Sequence, residues 1–171
     1  MGVTVTTGTA STYVALATTT LSSAVNSITI SSIPTTYTDL VVVLNGTSSN
    51  PTGVSFQVGN GTVDTGSNYS YTELYGTGSA TSGARAANQT SGSTGSFYTT
   101  QSLNVANFMN YSNTSTGKNI VTRGSNAGNQ IDSLANWWRS TSAINIIKFM
   151  VNGGYTFSVG TTLTIYGIKA A

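Results

Sequence analysis

Ser27-Ile28-Thr29-Ile30-Ser31-Ser32-Ile33-Pro34-Thr35-Thr36-Tyr37-Thr38-Asp39-Leu40-Val41-Val42-Val43-Leu44-Asn45-Gly46 holds two short β-branched runs. A turn segment rich in Pro and Thr separates them, and an Asn-Gly pair closes the second. Short runs of Val, Ile, Thr and aromatics between such breakers read as strands. The same pattern recurs at 3–6, 13–18, 54–58, 69–74, 97–107, 119–123, 144–151, 155–159 and 163–168. About ten strands at even spacing predict an all-β chain, an antiparallel β-sandwich of jelly-roll-like form with no substantial helix. One short helical turn is expected at 134–138.

Composition agrees. Of 171 residues only 6% are charged, against about 25% in an ordinary soluble domain. Coiled coils and long amphipathic helices need Glu, Lys, Ala and Leu, and are excluded. Nine Tyr, five Phe and two Trp supply a core, which argues against disorder. The length suits a single domain over 12–171, preceded by an arm or edge strand over 1–11.

Turn chemistry marks three Asn-Gly pairs: Asn45-Gly46, Asn60-Gly61 and Asn152-Gly153. Each tolerates the positive φ of a type I′ hairpin. The last is expected to join 147–151 to 155–159. Residues 76–95 are almost wholly Gly, Ser, Thr, Ala and Asn, with Arg85 the only charge. They read as a long surface loop, or as an arm ordered against a neighbouring subunit.

The chain has no His and no Cys. Cys nucleophiles, disulfides and imidazole or thiolate metal sites are therefore excluded, and so is a His charge switch. No run of 18 apolar residues and no secretory leader pattern is present. Synthesis in a cytoplasm and no membrane partner are the expectation. The net charge of +2 comes from scattered residues, without the basic cluster and aromatic platforms of a nucleic-acid surface.

Candidate chemistry is sparse. Asp39 and Glu73 form the one carboxylate pair to weigh against glycoside hydrolysis; Asp132 and Asp64 offer no better pairing. Asp39 follows a turn and reads as a backbone acceptor there. Asp64-Thr65-Gly66-Ser67-Asn68 has the oxygen-rich look of a calcium loop, but one carboxylate favours a plain turn. A Ser nucleophile would lack its His. Met1 to Thr6 formally fits an acylation pattern but also makes an alternating strand. Six Asn-x-Ser/Thr sequons are expected by chance in so Asn- and Thr-rich a chain. No catalytic, cofactor-binding or metal residues are assigned, and the chain reads as a non-enzyme.

Surface signals point to contact with other chains. Sheet edges are guarded in monomers by Lys, Pro or inward charges, and three Lys and two Pro are few for so many strands. Trp137-Trp138-Arg139 concentrates residue types favoured at interfaces, with core packing as the alternative. The run 144–151 is apolar on both faces: Ile147, Phe149 and Val151 on one, Ile146 and Met150 around Lys148 on the other. The expected interface set is Val3, Val5, Arg85, Trp137, Trp138, Arg139, Ile146 and Met150.

Four segments together resemble a jelly-roll-like module of tailed-bacteriophage virion proteins. They are 27–43; Asn68-Tyr69-Ser70 with Leu74-Tyr75-Gly76-Thr77-Gly78-Ser79; Trp137-Trp138-Arg139-Ser140-Thr141-Ser142-Ala143-Ile144-Asn145; and Leu163-Thr164-Ile165-Tyr166-Gly167-Ile168. The resemblance spans about residues 12 to 169. It implies a structural role in the virion, shared by tail-fibre adhesins and capsid-surface proteins. A free-standing module without a shaft is similar to a capsid decoration, or cement, protein. That resemblance implies a homotrimer on the outside of the major capsid protein lattice.

Overall fold

The computed structural model describes residues 12–169; the segment 1–11, with Val3 and Val5, lies outside the described residues. Thirteen strands follow one another: β1 (Tyr13–Thr20), β2 (Ser27–Ile30), β3 (Asp39–Gly46), β4 (Thr52–Asn60), β5 (Thr62–Val63), β6 (Tyr69–Gly76), β7 (Thr81–Gln89), β8 (Gly92–Phe97), β9 (Ser102–Phe108), β10 (Lys118–Asn126), β11 (Gln130–Trp138), β12 (Ile146–Val151) and β13 (Thr162–Ile168). Eight form one antiparallel sheet in the order β1-β13-β3-β9-β10-β11-β6-β7. The second sheet runs β2-β12-β4-β5, with β8 also paired to β4. The two pack face to face as a sandwich.

The apolar half of the interior is aromatic. Phe56 meets Phe108 edge-on at 5.5 Å between ring centres and Tyr69 at 6.4 Å, and Tyr69 stacks on Trp138 at 6.5 Å. The Tyr69 hydroxyl donates toward the carbonyls of Val58 and Asp64 and accepts the Val58 N–H at 3.0 Å. A buried phenol thus finds partners at the sheet edge, as burial requires.

The other half is polar. Strand β8 pairs with β4 and packs against the inner face of β10 and β11, which meets it with side chains. Asn136 accepts the Ser93 N–H and Asp132 that of Ser96, both at 2.8 Å. Thr122 donates to Ser93 O at 3.0 Å and Asn104 to Thr94 O at 3.2 Å. Backbone groups of β8 are thereby satisfied without a second strand, as buried edges must be.

This corrects the reading of 76–95 as a loop: the segment carries all of β7 and most of β8. Strand β7 lies at the sheet's edge and is exposed on nearly all its residues, so no hydrophobic alternation marks it. Strand β8 must be small because it lies so close to its neighbours. A Cβ on Gly92 would sit 2.3 Å from the Phe56 ring, and one on Gly95 2.6 Å from Asp132 Cβ.

Two other expectations fail for a common reason, the ladders already in place. The hairpin at Asn152-Gly153 does not form, because β12 is flanked on both edges by β2 and β4. Gly153 and Gly154, at φ of +71° and +74°, turn the chain away. Phe157 then enters the core, its N–H donating to Val25 O at 2.8 Å. The helical turn at 134–138 is instead the end of β11, paired with β10 and β6. Of the three Asn-Gly pairs only Asn60-Gly61 joins two paired strands, β4 and β5.

Candidate interaction face

Strands β10 and β11 alternate strictly between buried and exposed residues, so one face of the large sheet looks into solvent. The residues on that face invert the usual amphipathic pattern. Lys118, Thr122, Asn126, Asp132 and Asn136 point inward and are buried, whereas Val121, Ile131 and Trp137 point outward. Leu74 and Ile131 are 66% and 61% exposed, and Trp137 47%. Val121 and Leu103 are exposed as well. A shallow depression of about 470 Å³ lies between Leu74 and Ile131.

The pairing register places Arg123 at the middle of this surface. It lies across from Val105 on one side and Ser133 on the other, and Ser133 in turn faces Leu74. One rung along, Ser125 faces Leu103 and Ile131. Val121, two residues before Arg123, shares its face. Arg85 occupies the same face at the β7 edge, opposite Thr72.

Trp137 is held in place from one end. The Arg139 guanidinium lies 5.9 Å from its ring centre. Arg139 donates to Ser70 Oγ and Asn88 Oδ1, both at 3.1 Å, and to the Ser67 carbonyl. Trp138, by contrast, is 2% exposed, and its indole N–H donates to Asp64 Oδ2 at 2.7 Å. The expectation of Trp138 at an interface is corrected: strand alternation puts adjacent Trp residues on opposite faces. Ile146 and Met150 are half-buried on the outer side of the smaller sheet, with Ile147, Phe149 and Val151 inward. The structure therefore gathers Arg85, Trp137 and Arg139 on one side and Ile146 and Met150 on another.

None of the four carboxyl groups is left open on the apolar face. Asp39 accepts the Asn110 N–H at 2.6 Å. Asp64 accepts from Gly66 N, Asn68 Nδ2 and Trp138 Nε1. Burial works to raise its pKa, but these three bonds outweigh it and hold it below the usual carboxylate range. This is a turn closed on itself, and no cluster of three metal-ligating side chains occurs among the described residues.

Asp39 and Glu73 do not come together. They sit on β3 and β6, four strand spacings apart, or about 19 Å. Glu73 meets Asp132 instead, in hydrogen-bonding reach across β6 and β11. Burial first, then the Asp132 charge and that hydrogen bond, push the Glu73 carboxyl up. Asp132 is 1% exposed, with Oδ2 taken by Ser96 N–H and Oδ1 by Gln130 Nε2. The pair joins strands from inside, and its oxygens face protein rather than a cleft.

The sequence reading missed Leu74, Leu103, Val121, Arg123 and Ile131. The available signal was the inversion itself: in 118–126 the polar residues Lys118, Thr122 and Asn126 share one face with Ile120. No helix among the described residues is long and apolar enough to cross a membrane. No family model, curated protein or solved structure matches this chain.

Proposed function

We propose that this chain is a structural module of a tailed-phage virion, a decoration protein seated on the outside of the major capsid protein lattice. One observation carries the reading: the large sheet turns to solvent a broad face that bears five large apolar side chains. Monomers rarely keep such a contiguous patch uncovered. The edge strands β1 and β7 carry between them one charge, Arg85, and no proline, which is weak protection for open edges. Many weak contacts repeated over a lattice would reinforce the shell by multivalency. The protein works without catalysis or cofactor, as a homotrimeric partner of the capsid protein that binds neither nucleic acid nor membrane.

The experiment is the copy number per particle relative to the major capsid protein, by quantitative mass spectrometry. Near-stoichiometric amounts support the reading. A handful of copies supports a second one, a tail module that recognises host glycans. That reading is favoured by Trp137, a half-exposed indole backed by Arg139, which suits stacking on a sugar ring.

A further inference from the structure

We propose that the outer face of the eight-stranded sheet, centred on Arg123, docks a different protein chain whose surface offers a carboxylate among apolar side chains. The inference rests on the virion reading only for the place where that partner is found.

The anatomy is that of a binding hot spot. Arg123 is exposed, and no hydrogen bond or ion pair engages it among the described residues. Val121 lies two residues along its own strand, Leu103 and Ile131 on the two neighbouring strands, and Leu74 one strand further out. An arginine within an apolar surround that excludes water is where single contacts count most. The size is also adequate. Eight strands at about 4.8 Å spacing, over about 20 Å of strand length, make a face of about 800 Å², equal to one side of a standard interface of about 800 Å² per partner.

Charge decides the occupant. The face carries Arg123, Arg85 and Arg139, and its one acidic side chain, Asp39 at the far end of β3, already accepts the Asn110 N–H. The chain has four acidic residues in all. Asp132 is buried, Glu73 turns inward against it, Asp39 accepts from Asn110 after β9, and Asp64 is closed within its own turn. A second copy thus offers Arg123 no carboxylate that is not already accepting a hydrogen bond. A two-fold pair through this face would set the same patch against itself, bringing like charges together. A glycan is disfavoured as well, because aliphatic side chains rather than aromatic platforms surround the arginine.

The chain lacks cysteine, so one introduced thiol reports cleanly. Ser133 is exposed beside Arg123, and Thr29 is exposed on the other sheet. Ser133→Cys and Thr29→Cys are labelled with a maleimide in the isolated chain and in purified particles. The expected result is protection of Ser133→Cys in particles by about tenfold or more, the scale of 1.4 kcal/mol of occupancy, with Thr29→Cys unchanged. Adding Arg123→Glu abolishes that protection. Equal labelling in both states overturns the inference, as does protection that survives Arg123→Glu. Protection of the isolated chain by self-association, or by an added acidic polysaccharide, overturns it too. Absence of the chain from particles overturns only the virion reading; the same labelling with and without Arg123→Glu is then read in the infected-cell lysate, with the same two outcomes.

Discussion

Asn136 clasps the backbone of Ser93: its Oδ1 accepts the Ser93 N–H at 2.8 Å and its Nδ2 donates to Ser93 O at 3.0 Å. One side-chain amide does for β8 what a neighbouring strand would do. Asn136→Leu fills a similar volume but leaves the donor, and part of the acceptor capacity, unmet. The expected loss is about 1–4 kcal/mol of unfolding free energy, from one unmet donor at about 1–3 kcal/mol and an acceptor that keeps only the Thr122 hydroxyl. Denaturant unfolding with an unchanged m-value would check it.

The approach of β8 to β11 sets a second expectation. Gly95 has φ of +95°, and a Cβ there would meet Asp132 Cβ at 2.6 Å; Gly78 has φ of +84° with nothing within 4 Å. Both Gly→Ala variants incur backbone strain of about 1–2 kcal/mol. Only Gly95→Ala also forces β8 away from Asp132, adding about 1–3 kcal/mol of overpacking. Thermal melts of the two variants should therefore separate, with Gly78→Ala the milder.

These interior contacts explain what could and could not be read from sequence. Strands whose inner residues are apolar were legible: Leu40, Val42 and Leu44 on β3, or Val54, Phe56 and Val58 on β4, alternate with little ambiguity. Ser27–Ile30 was bounded as found. Strands β7, β8 and β11 were not legible, because hydrophobic periodicity reports burial only where burial is apolar. Asn104, Thr122 and Asn136 are buried to bond a backbone, and Lys118 to reach the carbonyls of Thr116 and Thr141 at 2.8 and 3.2 Å. The interaction face was hidden for the same reason, since polar inner residues leave no apolar alternation to mark Val121 and Ile131 as outward.

Adjacent tryptophans give a paired test. Trp138→Ala removes a buried ring that stacks on Tyr69 and donates to Asp64, and should cost about 3–5 kcal/mol. Trp137→Ala removes a half-exposed ring and should leave stability within about 1 kcal/mol. If the second variant is well folded yet fails to bind, on particles or on a glycan array, Trp137 belongs to the recognition surface. If it binds as well as the parent, Trp137 lies outside it.

Glu73 makes stability depend on pH in a direction opposite to ordinary acid denaturation. Glu73 has a folded pKa above its ordinary 4.5. Below that value both folded and unfolded chains hold the proton, and the contribution is whole. As pH rises, the unfolded chain releases the proton first, and the contribution is lost through the raised folded pKa. Asp64 behaves oppositely, its folded pKa lying below 3.8, so its contribution is lost only as pH falls beneath that range. The two windows do not overlap. As pH rises above 4.5 the melting temperature of the parent should therefore decline. Glu73→Gln keeps a donor for Asp132 without a titrating proton and should flatten that decline while leaving the acid limb unchanged. A decline of equal slope in Glu73→Gln would show that the proton resides elsewhere.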